Sequence, residues 1–232
     1  IFSGTNWKHA AAEVALIVVG VTIALWADAW VGERRDLQRE NTRLTALYSD
    51  TEGTLAEISA LRLEASEAAV ALREILSLQP PYESSGKTSE LLSHGLLYGL
   101  GFHPEMSVYD DLKNSGELAL LTNPGLRQAL SSMDAGLERL LLAQADLTMV
   151  QQLNIDTYMV NHMDLASFFA DLTGLEQEGN QPGTDFSFIT DREFRNRIVL
   201  KLDLITHVES VIAETESKVL EVKRLLETEL SD

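Results

Sequence analysis

Several residue groups in this chain have the types that chemistry uses, and each is weighed first by its spacing. Ser85-Gly86-Lys87-Thr88 carries the G-K-[ST] end of a phosphate-binding loop, where backbone N–H groups cradle phosphates and the lysine reaches the outer ones. Pro81 stands where that loop needs its first glycine, and no strand pattern precedes it, so nucleotide binding is not expected. The histidines are His9, His94, His103, His162 and His207, and they form no H-E-x-x-H pair. His94, His103 and Glu105 flank a turn containing Gly99 and Gly101, but their spacing has no helical logic, and a solvated loop is the expected reading over a metal site. Asp110-Asp111 is no catalytic pair, because neighbours on a helix point about 100° apart. Met149, Met159 and Met163 read as core fillers. There is no G-x-S-x-G serine, no Asp-rich calcium loop and no cysteine. No catalytic residue, metal ligand or cofactor is therefore nominated, and a non-enzymatic protein is expected.

The elements that would position any site are helical. Leu, Ala and Glu dominate, strand-type runs are scarce, and 232 residues suit one domain plus an anchor. The formal charge of −18 is unevenly spread. Through Thr45 the five basic residues Lys8, Arg34, Arg35, Arg39 and Arg43 balance five acids, so the whole excess lies beyond. That acidic part would repel phosphate backbones and anionic headgroups, which excludes nucleic acid as a partner.

A 7-residue pattern in 4-3 steps runs through Leu37, Asn41, Leu44, Tyr48, Thr51, Leu55, Ile58, Arg62, Ala65, Ala69, Leu72 and Leu76, predicting one long amphipathic helix that stops before Pro80-Pro81. Residues 79–89 read as a polar loop and 90–98 as a short helix. Ser107-x-x-Asp110 approximates a capping box. The sequence then predicts a helix end with Gly116 in the left-handed position, followed by Asn123-Pro124 opening a long helix to about Leu172. Residues 174–183 read as a loop, and Thr190-x-x-Glu193 as the box that starts a last helix through Phe194, Ile198, Leu202 and Ile205. The expected fold is all-α: an N-terminal transmembrane helix continuing into an extramembrane up-and-down helical bundle.

The anchor itself is the apolar run Val14–Ala27, about 21 Å of helix, extended by Ala10–Ala12 and Ala29–Val31 to a full crossing. The expected divisions are an N-terminal flank over 1–9, the transmembrane helix over 10–31 and an acidic extramembrane domain over 32–232. Trp7 and Trp30 lie about 34 Å apart along a helix, close to the separation of the two aromatic belts of a bilayer, with Trp26 between them. A cleavable signal peptide with Ala27-Asp28-Ala29 as its site and a buried core helix of a soluble protein are the competing readings, and retention as an anchor is expected. One stripe reads Glu13, Gly20, Ala24, Ala27 and Val31, with Glu13 and Asp28 at the ends of nearly the same face. Gly20-x-x-x-Ala24 admits close approach, and a partner helix is expected against Glu13, Gly20, Ala24, Ala27 and Asp28.

Two stretches resemble a set of uncharacterised bacterial single-span membrane proteins. The first is Glu13 to Trp30 with Glu33-Arg34, similar to an anchor pattern E-x-x-L-I-V-x-G-x-x-I-A-L-x-x-[DN]-x-W-x-x-x-R. The second is Tyr109 to Leu130, similar to a Y-x-x-L-x-S-G-x-L-x-L-I-x-[DN]-x-x-L-R-x-A-L segment. Trp26 departs from the usual polar residue there. The resemblance implies architecture and brings no activity.

The functional expectation is a non-enzymatic accessory or scaffold subunit in the bacterial inner membrane. Its transmembrane helix and extrinsic domain would clamp a larger membrane complex, with a photosynthetic reaction-centre and antenna assembly as the specific guess. The alternative is a homo-oligomeric sensor or signalling module, since an anchor continuing into a heptad-bearing helix transmits rotation. Four basic residues after the anchor against one before it would place the domain in the cytoplasm by the positive-inside rule. On the expectation that a basic tail precedes Ile1, as in the resembled family, the domain is expected on the periplasmic side.

Overall fold

The computed structural model describes residues 6–82, 85–99, 101–173 and 185–231, and the secondary structure among them is entirely helical. Helix α1 runs unbroken from Asn6 to Ser77, 72 residues or about 108 Å, straight across the boundaries expected at 9/10 and 31/32. It closes before Pro80, where proline disfavours a helical residue ahead of it.

Only the second half of α1 packs within the chain. Its buried positions are Glu40, Leu44, Leu47, Thr51, Thr54 and Ile58, continuing in the same 4-3 steps to Ile75. The expected stripe thus holds at every seventh residue from Leu44 to Leu72. The intervening seam positions Leu47, Thr54, Leu61, Ala68 and Ile75 lie one residue before the expected Tyr48, Leu55, Arg62, Ala69 and Leu76, of which Ala69 is itself buried. Leu37, the first residue of the expected stripe, is exposed.

Helix α2 spans Ser85–Leu96 and α3 Ser107–Ser115, followed by a 3₁₀ turn over Glu117–Leu120. This stretch runs back along α1. The His103 N–H donates to Glu57, Thr54 Oγ1 to the Glu105 carbonyl, the Val108 N–H to Asp50, Arg43 to Glu117, and the Thr122 N–H to Glu40. Helix α2 starts inside the expected 79–89 loop, so Ser85–Thr88 is a helical first turn and not a phosphate-binding loop. The expected capping box at Ser107 is not made. Asp50 of α1 caps α3 instead, accepting from the Val108 N–H at 2.9 Å.

Helix α4 (Pro124–Val150) opens as the sequence predicts, with the Asn123 side chain accepting from Gly125 and Leu126 N–H. It does not continue to Leu172. A π turn over Gln151–Asp156 leads into α5 (Thr157–His162), the backbone extends at Met163, and α6 (Leu165–Thr173) begins anew. The break has a local cause: Asp164 accepts from both the N–H and the hydroxyl of Ser167, an N-cap that favours a fresh start. Met159 and Met163 are buried, but Met149 is 59% exposed and fills no core. The expected loop at 174–183 lies outside the described residues.

Helix α7 (Arg192–Ser231) follows a 3₁₀ turn over Ser187–Thr190. The expected box at Thr190 is not formed, since Thr190 donates to Ser187 and Glu193 pairs with Arg197. The buried seam of α7 runs Phe194, Ile198, Lys201, Ile205, Val208 and onward in 4-3 steps to Leu226. It packs along both α1 and α4. Glu52–Lys223, Arg62–Glu216 and the Arg195 bond to the Leu76 carbonyl show α7 antiparallel to α1. Asn123–Glu229, Arg139–Glu214 and the Arg197 bond to the Asn154 carbonyl show it antiparallel to α4. Repeated 4-3 seams of this kind let long helices interdigitate side chains along their whole contact.

Candidate functional site

The first candidate is the free half of α1. Every side chain from Ala11 to Val31 is exposed, and α1 alone among the described helices is long and apolar enough to cross a membrane. Glu13, Gly20, Ala24, Ala27 and Asp28 fall within an arc of about 100° at 100° per residue, and all of them are exposed. A Cβ built on Gly20 meets nothing within 4 Å, so the small-residue face is open. Thr22 returns its hydroxyl to the Val18 carbonyl at 2.8 Å, which satisfies the one hydroxyl of the apolar run within its own helix. Trp7, Trp26 and Trp30 are all exposed, and the Arg34 guanidinium lies 4.3 Å from the Trp30 ring centre. That cation–π contact places a charge next to the Trp30 indole at the end of the apolar run.

The second candidate is internal and was not picked out from sequence. Lys201 occupies a seam position of α7 and has no exposed surface. Its ammonium has three protons and meets three acceptors: the Leu96 carbonyl at 2.7 Å, the Tyr98 carbonyl at 3.0 Å and Gln151 Oε1 at 2.6 Å. Leu96 ends α2, so the lysine caps that helix's last carbonyl and also takes the Tyr98 carbonyl just beyond it. Gln151 opens the π turn, and its Nε2 donates to Asp156 at 2.6 Å. One turn before Lys201, Arg197 donates to the Asn154 carbonyl at 2.8 Å. Two cations of α7 therefore hold the π turn from the same side.

Register explains the π turn. The seam of α4 reaches Leu147, and four residues on it meets Gln151, which faces Lys201. The next buried apolar residue is Ile155, eight residues after Leu147 where seven would keep step. The wider turn absorbs that extra residue.

Burial pushes the Lys201 amine down to about 7, partly offset by the Asp156 carboxylate. A half-neutral amine is a nucleophile in kind, but this one is enclosed and fully bonded to its neighbours. The Tyr98 hydroxyl is buried with no partner among the described residues, and burial raises its pKa, helped by Glu64 and Glu209. The arrangement joins α2, the π turn and α7 and fixes their axial register, as a polar seam position does in coiled coils.

The other sequence candidates are not assembled. His94 and His103 are both exposed, the His103 ring contacting its own Gly101 carbonyl, and Glu105 packs over Gly53. Among the described residues no group of three or more His, Asp or Glu is arranged to hold a metal. Asp110 and Asp111 are exposed. In the Tyr109–Leu130 patch, Tyr109 and Lys113 converge on Asp134 of α4, and Gly116 has φ of 76° as the αL end of α3. Leu121 is buried and Leu118 packs against the core, so the patch is a corner tied to α4.

Comparison with protein-family models, with curated proteins and with solved structures finds no match to this chain.

Proposed function

We propose that this chain is a non-enzymatic, single-span accessory subunit of the bacterial inner membrane, holding a larger membrane complex through its transmembrane helix. The observation that carries the reading is the free half of α1: from Ala11 to Val31 no other described part of the chain covers it, and Gly20 is open to close approach. Lipid satisfies apolar side chains as well as protein does, so what favours a helix partner is the small-residue pair Gly20-x-x-x-Ala24, which lets backbones come into van der Waals range. The partner is specified by chemistry as an apolar helix with its own small-residue face, and no described residue singles out a photosynthetic assembly.

The extramembrane part is read as an up-and-down bundle of four legs, with α2 and α3 together forming the second. The alternating directions of the α1, α4 and α7 contacts support this. The bundle is placed in the periplasm. The chain has no cysteine, so a single Ser217→Cys on the exposed face of α7 is a clean reporter. Labelling by an impermeant maleimide on intact spheroplasts is expected, and labelling only after lysis would reverse the orientation.

A homo-oligomeric sensor is favoured by a different observation: α1 is continuous from Asn6 to Ser77, so a rotation in the membrane would reach the seam directly. Native mass spectrometry of gently solubilised membranes separates the two readings. Foreign subunits at fixed stoichiometry support the accessory role, and copies of the chain alone support the sensor.

A further inference from the structure

Between the apolar run and the packed half of α1, basic residues gather at Arg34, Arg35, Arg39 and Arg43. An open groove of about 530 Å³ is formed there by α1 and the 3₁₀ turn after α3, with Arg35, Gln38, Arg39 and Thr42 on one side and Glu117 and Leu120 on the other. Arg43 also lines it. Three guanidiniums thus face one carboxylate, in a chain whose net charge is −18.

The charges in the groove are not all committed. Arg43 holds Glu117 at 3.0 Å. Arg39 lies 3.7 Å from Asp36, longer than a charge-assisted hydrogen bond, with both side chains more than 60% exposed. Arg35 makes no ion pair among the described residues. The buried Glu40 carboxylate is turned inward to the Thr122 N–H and hydroxyl, at 2.6 and 2.8 Å, and does not neutralise the groove.

The depth is right for headgroups. Arg35 stands about 6 Å and Arg39 about 12 Å beyond Val31 along the helix, against about 5–8 Å for the headgroup layer of one leaflet. Helical side chains lean toward the helix N-terminus, which here is toward the bilayer, so both guanidiniums reach back to that layer. They are four residues apart and share a face, with the Gln38 amide beside them.

The geometry points to a site at Arg35, Gln38 and Arg39 that binds the phosphate of an anionic lipid headgroup. Guanidinium forks match phosphate oxygens in pairs, and a basic cluster next to a membrane span is attracted to anionic lipid. The inference rests on α1 being the anchor, and reaches beyond it by giving the anchor a lipid preference that the acidic domain alone would oppose.

The test uses the full chain in nanodiscs of phosphatidylcholine with a quarter phosphatidylglycerol, released for native mass spectrometry to read which lipids stay bound. The wild type is expected to carry phosphatidylglycerol well above its share of the disc. Arg35→Gln/Arg39→Gln should weaken that selectivity about thirtyfold, the worth of two arginines at an anionic surface, and the distant exposed Arg73→Gln should leave it unchanged. Inorganic phosphate in excess distinguishes the source: no displacement means a headgroup held with its lipid, and full displacement would overturn the lipid assignment in favour of free phosphate. Insertion with no anionic preference, or equal loss in Arg73→Gln, overturns this site alone. Failure to enter discs of either composition overturns the anchor reading as well.

Discussion

Lys201 on α7 and Gln151 at the head of the π turn face each other at 2.6 Å, each on the apolar seam of its helix, where the neighbouring turns place Ile198, Ile205 and Leu147. Such a pair costs desolvation and contributes specificity: sliding α7 by one turn against α4 would strand an ammonium among leucines. With Arg197 one turn earlier on the Asn154 carbonyl, it also holds the place where α4 changes register.

The buried amine should leave a signature in pH. Its folded pKa is lowered to about 7 from an ordinary 10.5, so between those values the unfolded chain binds the extra proton and the folded chain does not. Stability from this group is therefore reduced below pH 7 and recovers as pH rises toward 10.5, with a slope of at most about 1.4 kcal/mol per pH unit. The tyrosines Tyr98 and Tyr158 and the lysines Lys113 and Lys223, all shifted upward, change stability only near and above pH 10. Thermal melting of the full chain in detergent should show a higher Tm at pH 9.5 than at pH 7.5, and Lys201→Met should flatten that rise. An unchanged rise in the variant would assign it elsewhere.

Gly116 isolates backbone strain from crowding. Its φ is 76°, yet a Cβ built there meets nothing within 4 Å. Gly116→Val should cost about 1–2 kcal/mol, while Gly116→Asn, which visits the left-handed region more readily, should cost less. Chemical denaturation of both variants checks the order, and equal costs would point to a contact in place of strain.

Asp50 is the cap of α3 across 58 residues of sequence. Asp50→Ala should lose about 1 kcal/mol, as N-cap deletions do. Ser107→Ala should cost little, because the Ser107 hydroxyl stands 3.4 Å from Asp50 and caps nothing itself. Hydrogen exchange of the Val108 amide should quicken in the first variant and not in the second.

Asp50 also marks what sequence could reveal and what it could not. Local devices were legible: the Asn123 cap with Pro124 behind it, the Gly116 helix end and the stop before Pro80 each depend on residues within a turn of one another. Asp50 capping Val108 is a tertiary bond, and Ser107-x-x-Asp110 offered a local substitute that the fold did not take. On α1 the step of seven was readable from Leu44 to Leu72, but Tyr48 and Leu47 are both apolar, and only the position of α7 decides that Leu47 faces in. Lys201 was missed because an apolar stripe drawn through Ile198, Leu202 and Ile205 bypasses it, although a lysine four residues before Ile205 on the strict 4-3 seam was a visible irregularity. The break at Met163 had its own signal in Asp164 and Ser167, hidden by the apolar residues on both sides.

The most direct test of the accessory-subunit reading is co-purification from native membranes after mild solubilisation, comparing Gly20→Leu with Ala15→Leu. Both change a small, exposed residue of the same apolar run to leucine, and Ala15 lies about 140° around the helix from Gly20. Gly20→Leu is expected to lose its foreign membrane partners while Ala15→Leu keeps them at wild-type stoichiometry. Equal retention by both variants, or a wild-type chain that comes out of the membrane with no partner but itself, would contradict it.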